Sequence, residues 1–197
     1  MVAVLCTLVL LGCAGVIPGR SIPPKLLSLS PKSTYSADLP TVNWQLVVEL
    51  PFTAETLDTP RIVLSRDRYT LDYYGNARWS ERTPVMIQTL LVESFENTDK
   101  IVAVARQATD LRADYVLKTD LREFQAELGD GGLPTVRVRI NAKLVKMPER
   151  TIIASFKAER AVEAEGTDLL QVVHAFDTAL GKVLKQVVEW TLKAPGD

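Results

Sequence analysis

Arg61-Ile-Val-Leu-Ser-Arg66, Tyr69-Thr-Leu-Asp-Tyr-Tyr74, Gly75-Asn76 and Ala77-Arg78-Trp79-Ser80-Glu81-Arg82, running into Thr83-Pro84, make up the stretch whose reading decides the fold. The first two segments are rich in β-branched and aromatic residues and end at turn formers, which predicts two strands with a turn at Gly75-Asn76. Thr83 suits the cap of a following helix and Pro84 its first helical position, where a missing N–H costs nothing. Ile87, Leu90, Leu91 and Phe95 then recur at helical spacing, while Gln88, Glu93 and Glu96 fall elsewhere. A helix with one apolar face needs a sheet to lie on, so this stretch is the nucleus of an α/β layer structure.

Working outward, Trp44-Gln-Leu-Val-Val-Glu-Leu50 reads as a strand stopped by Pro51, with a loop from Phe52 to Pro60. Beyond the helix, Lys100-Ile-Val-Ala-Val-Ala-Arg106 reads as a buried strand reached by a right-handed parallel crossover, which makes the sheet mixed. Tyr115, Leu117 and Leu121 put apolar side chains on odd positions, but Phe124, Ala126 and Leu128 put them on even ones. A β-bulge near Arg122-Glu123 accounts for the change of face. Gly129-Asp-Gly-Gly132 and Pro134 make a turn. Val136, Val138, Ile140, Ala142 and Leu144 then alternate with Arg137, Arg139, Asn141 and Lys143, a strand with one wet face. Met147-Pro-Glu-Arg150 turns the chain back into Ile152 to Val162, closing an antiparallel meander. A last helix runs from Thr167 to about Leu192. Leu169, Val173, Phe176, Leu180, Leu184 and Val187 line it, and Leu170, Val172, Val183 and Val188 widen its apolar surface. The helix is therefore either deeply buried or meets another protein. The predicted class is α/β: a mixed, largely antiparallel sheet with two main amphipathic helices packed on it, in a single domain.

The chain's 197 residues and 47% hydrophobic content suffice for one sizeable core. A formal charge of −1 with no basic block points away from nucleic acid. Residues 1–12 read as a signal peptide: no charge occurs before Arg20, and the run Leu8-Val-Leu-Leu11 leads to Gly12-Cys13-Ala14, which fits a lipobox with lipidation at Cys13. The run is too short for a comfortable membrane span. Signal peptides open on Lys or Arg, which Met1-Val-Ala-Val lacks, so the true start is expected upstream. Cys6 lies in the signal and Cys13 carries the lipid, leaving the mature chain without a disulfide. Residues 13–42 are rich in Pro and Ser and read as a lipid-anchored tether, with Tyr35 and Leu39 docking on the fold. The domain occupies 43–193 and a tail 194–197.

Tyr73-Tyr74, Ala77-Arg78-Trp79-Ser80-Glu81 and the Leu-rich helix resemble the ABC-type transport auxiliary lipoproteins, a family that includes the lipoprotein of the paraquat-inducible Pqi system. The likeness continues through Gln88-Thr-Leu-Leu-Val-Glu-Ser-Phe95, Asp114-Tyr-Val-Leu117, Leu121-Arg-Glu-Phe124 and the C-terminal helix. What the resemblance implies is a periplasmic lipoprotein whose partners are an ABC permease and ATPase and an MCE-domain protein, and whose cargo is phospholipid or another hydrophobic molecule. Ala14, where Asp would signal inner-membrane retention, implies an outer-membrane location.

Catalytic inventory is thin. His174 stands alone beside the apolar stripe and reads as a boundary residue. The Gly129–Gly132 loop lacks the Lys-Ser/Thr of a phosphate loop and the spaced carboxylates of a calcium loop. Asp110, Asp114 and Asp120 read as solvated. Arg78-Trp79 is the candidate structural or partner contact: Trp79 is expected to pack beneath a helix, with Arg78 stacked on it or paired with a carboxylate. No catalytic, metal or cofactor residue is expected. Three functions remain in play: an assembly component with self-association, a lipid carrier with its own apolar pocket, and an enzyme. The first fits the residues best.

Overall fold

A computed structural model describes residues 23–67, 69–106, 112–129 and 132–196. In chain order the elements are β1 (Lys25–Leu27), β2 (Val42–Val48), β3 (Phe52–Thr53), β4 (Arg61–Ser65), β5 (Leu71–Trp79), α1 (Thr83–Glu96), β6 (Ile101–Arg106), β7 (Tyr115–Glu127), β8 (Thr135–Lys146), β9 (Thr151–Glu163) and α2 (Leu169–Lys193). A 3-10 turn, Ala194–Gly196, follows.

Strand β7 is the spine. One edge carries β8 antiparallel, with β9 antiparallel beyond it. The other edge is shared end to end by three short parallel strands: β2 lies beside Tyr115–Leu117, β3 beside Asp120 and Leu121, and β4 beside Gln125–Glu127. Pro51 and Pro60 break that edge into pieces, because proline cannot donate to a ladder. β6 flanks β2 in parallel, β5 flanks β4 antiparallel, and β1 runs parallel to β5. The sheet is mixed, and its long ladders are antiparallel.

The bulge expected near Arg122 is present: Leu121 faces Ile140 and Glu123 faces Arg139, so Arg122 is the extra residue. The turn expected at Gly75-Asn76 is absent. β5 continues through it, and residues 74–77 bow out opposite Ile62, with Asn76 at φ 54°. Asn tolerates that left-handed backbone, and here the freedom serves a bulge instead of a reversal. The crossover differs too. β5, which leads into α1, runs antiparallel to β4, whereas β6 is parallel to β2. Nor is β6 buried; it is an edge strand, and Val102 is 63% exposed.

The sheet begins earlier than Trp44, at Lys25. Residues 28–40, expected as tether with only Tyr35 and Leu39 docked, cross both helices as a strap. Leu29 and Leu39 are buried. The Ser30 N–H donates to Asp177 Oδ1 at 2.7 Å and the Lys32 N–H to Ser94 Oγ at 2.9 Å. Ser36 donates its N–H and its hydroxyl to Glu189 Oε1, at 2.8 and 2.9 Å. Lys193 Nζ reaches Asp38 at 3.0 Å.

Both helices lie on one face of the sheet. Trp79 of β5, Phe124 of β7 and Phe176 of α2 meet at ring-centroid distances of 4.9 to 5.8 Å in the middle of the core. Val172, Phe176, Leu180, Val183, Leu184, Val187 and Val188 of α2 are fully buried, covered by β8, β9, α1 and the strap. The wide apolar surface of α2 is therefore internal, apart from Leu170 near its start, which is 63% exposed. Asp168 precedes the helix and donates its N–H to Gln171 Oε1 at 3.3 Å. In α1, Thr83 is helical and its hydroxyl donates to Thr59 O at 3.0 Å instead of capping; Arg82 takes the cap position. Gln88 turns inward, donating Nε2–H to Val48 O at 2.9 Å, which ties α1 to the end of β2. Among the described residues no helix is long and apolar enough to cross a membrane. Among the described residues, core and strand partners lie between Lys25 and Ala194, so this part has a core and a complete set of strand pairings of its own.

Candidate functional site

The face of the sheet turned away from the helices carries a groove. Its floor is one row of the ladder: Val47 of β2 lies beside Val116 of β7, Val116 opposite Val145 of β8, and Val145 opposite Ile152 of β9. The three valines, with Ala113 and Met147, form an apolar cluster separate from the main core. Ile152 stays 54% exposed. The groove encloses about 890 Å³, and Arg112, Asp114, Lys118, Glu49 and Arg150 stand around the floor.

Three of those rim charges are engaged. Lys118 pairs with Glu49 at 3.1 Å, and Asp114 Oδ2 accepts the Gln45 N–H at 2.8 Å. The arrangement can receive an apolar group with an anionic end. Its two carboxylates are each committed, Glu49 to a cation and Asp114 to an amide. Sequence reading missed this floor because it counted only the core-facing residues. The signal was the doubling of apolar residues in Leu46-Val47-Val48, Val116-Leu117 and Leu144-Val145, which breaks strict alternation in three strands at positions the topology brings into one row.

At the other end of the same face, Ser65, Asp67, Gln125, Gly129, Gly132 and Thr135 line a more polar concavity of about 670 Å³. Between the two ends, the expected wet face of β8 is an ion-pair ladder. Arg137 pairs with Glu127 at 3.1 Å and Glu159 at 3.5 Å, Arg139 with Glu123 at 2.7 Å, and Lys157 with Glu159 at 2.7 Å. The hydrogen bond from Lys157 holds the Glu159 carboxyl below its usual range.

Trp79 is 1% exposed, and the helix it meets is α2, through Phe176. Its neighbour Arg78 points the other way and is exposed on the outer face. No ion pair among the described residues includes Arg78. Directly across the ladder from it stands Arg61, also exposed, whose guanidinium lies 3.6 Å over the Tyr73 ring. Sequence reading passed over Arg61, because the register that places it beside Arg78 depends on the β5 bulge. His174 is exposed on α2, and Asp120 pairs with Arg122 at 3.0 Å. Cys13 and Asp110 lie outside the described residues. Among the described residues no three His, Cys, Asp or Glu side chains gather as metal ligands.

A family described as the ABC-type transport auxiliary lipoprotein component matches residues 26–188. The crystal structure of protein XCC0632 from Xanthomonas campestris superposes with a TM-score of 0.82 at 32% identity, covering 87% of this chain and 97% of that one. The hypothetical protein CT253 from Chlamydia trachomatis shares the fold, with a TM-score of 0.51 at 9% identity over 77% of this chain and 97% of that one. An uncharacterized protein of Bradyrhizobium diazoefficiens, bll6063, is 29% identical over 121 residues, which is 61% of this chain and 32% of that protein. The chain thus spans about a third of that relative.

Proposed function

We propose, because the chain belongs to the family of ABC-type transport auxiliary lipoproteins, that it is a non-catalytic, lipid-anchored docking component of an ABC/MCE-type system moving phospholipid or another hydrophobic cargo between the inner and outer membranes. In this reading residues 1–12 are removed as a signal peptide, Cys13 carries the lipid, and Ala14 directs the mature protein to the periplasmic side of the outer membrane. Its partners are an MCE-domain protein and, through it, the permease and ATPase.

The family match over residues 26–188 carries the proposal. Packing of Trp79, Phe124 and Phe176 where sheet meets helices supports it over the carrier, since side chains fill the space a buried lipid would need. Self-association remains part of the proposal, through a surface other than the covered stripe of α2. One observation favours the carrier as a second reading: the groove over Val47, Val116 and Val145 could seat a single alkyl chain. Purification of the tagged protein from native membranes, with identification of bound proteins and extractable lipids, separates the two. Recovery of the permease, ATPase and MCE-domain protein supports docking. A stoichiometric lipid without those proteins supports the carrier.

A further inference from the structure

Arg61 and Arg78 face each other across the β4–β5 ladder, both exposed. Like charges directly opposite in a sheet destabilise it, and among the described residues neither arginine has a carboxylate partner. The Arg61 guanidinium lies over the Tyr73 ring, 3.6 Å from its centre. Leu26 of β1 lies beside Arg78 in the same row and is 61% exposed. Phe52 of β3, beside the outward-facing Asp120, is 71% exposed on the same face of the sheet. Two unpaired cations flanked by two bare apolar side chains are the composition that favours a surface with anionic groups above hydrocarbon.

Where the chain leaves the described region selects the occupant. The row containing Leu26 and Arg78 begins two residues after Pro24, and Lys25 is already paired with Ala77. From Cys13 to Lys25 the chain can span at most about 40 Å when fully extended. A lipid on Cys13 would therefore keep this row within reach of the bilayer.

We propose that Leu26, Phe52, Arg61 and Arg78 form the face that rests on an anionic phospholipid surface, so that the domain is oriented on its membrane and does not merely hang from it. This rests on the lipoprotein reading for its setting, but the contact itself needs no lipid on the protein. It can therefore fail separately from that reading.

The test uses the mature chain from residue 13 with Cys13→Ser, whose core is intact, and measures co-sedimentation with vesicles. Vesicles of phosphatidylglycerol with phosphatidylethanolamine should bind the chain, and vesicles of phosphatidylcholine alone should bind it markedly less. Each of Arg61→Gln and Arg78→Gln should weaken binding to the anionic vesicles about fivefold, and added salt should abolish the difference. Phe52→Ser should weaken what binding remains at high salt. Lys182→Ala, at an exposed position of α2, should change nothing. Thermal unfolding of each variant controls for folding. The proposal is overturned by equal binding to both vesicle types, or by arginine variants that bind like the Lys182 control. It is likewise overturned if the arginine variants keep vesicle binding but lose the MCE-domain partner, because the patch would then belong to a protein contact.

Discussion

At Trp79 the core has its largest fully buried side chain. Trp79→Ala and Phe95→Ala should each lower stability by about 3–5 kcal/mol, read as a fall in the denaturant midpoint with unchanged slope. Effects below 1 kcal/mol would place these rings on a surface. Arg78 makes the opposite case. Arg78→Glu, which replaces a repulsive pair with Arg61 by an attractive one, should raise stability by a few tenths to about 1 kcal/mol. A gain would mean that the arginine is retained for contact and not for folding, while a loss would show a structural partner. Tyr35 reports on the strap. Its hydroxyl bonds to the Ser94 carbonyl at 2.6 Å, and burial pushes its pKa up to about 12. Folding thus favours the protonated phenol: the contribution is whole below the unfolded value near pH 10 and is lost as pH rises toward 12. Because the ring is only half-buried, solvent screening reduces the effect to about 1 kcal/mol. Wild type should lose that much more stability than Tyr35→Phe over this window. Parallel curves would refute a protonation-linked strap.

Among the elements, β7 and the strap mark where sequence was legible and where it was not. The switch of apolar positions from Leu121 to Phe124 revealed a one-residue bulge, because faces alternate strictly along a strand and only an inserted residue exchanges them. Deleting Arg122 leaves Leu121 opposite Ile140 and brings Glu123 next in line opposite Arg139, so Phe124 and Ala126 keep the core face and the variant should stay soluble and folded. Arg122→Ala, which removes only an exposed ion pair with Asp120, should cost less than about 1 kcal/mol. An insoluble deletion variant would mean that the extra residue is itself needed, to space the β3 and β4 pairings along the other edge of β7. The bulge in β5 was illegible: Gly75-Asn76 carries the same residues whether it reverses the chain or bows it, and the ladder with β4 decides between them. The strap was half legible. Proline excludes regular structure from residues 28–40, but bonding of Ser30, Lys32 and Ser36 to Asp177, Ser94 and Glu189 is long-range and leaves no local pattern. Glu189→Ala should speed hydrogen exchange in the strap while α2 near Leu180 stays protected. Uniform loss of protection would show that strap and helix open as one unit.

For the whole molecule, the layer class and the family were readable because amphipathic spacing and motif order survive without knowledge of pairing. Strand order was not, since three short strands share one edge of β7 through contacts far apart in sequence. The groove and the Arg61–Arg78 pair were hidden for the same reason: both are rows across strands. Cys13→Ala should leave the domain folded and convert membrane association that resists salt into binding that salt removes, because stable anchoring takes two or more acyl chains. Unchanged association, with no mass shift on the wild-type N-terminal peptide, would remove the lipoprotein reading for this chain. Docking itself is tested most directly by light scattering on the delipidated chain, residues 25–197, across a concentration series with and without the MCE-domain partner. A defined complex with that partner, heavier than either component alone, is expected. A strict monomer that ignores the partner yet retains a stoichiometric lipid would contradict docking and establish a carrier.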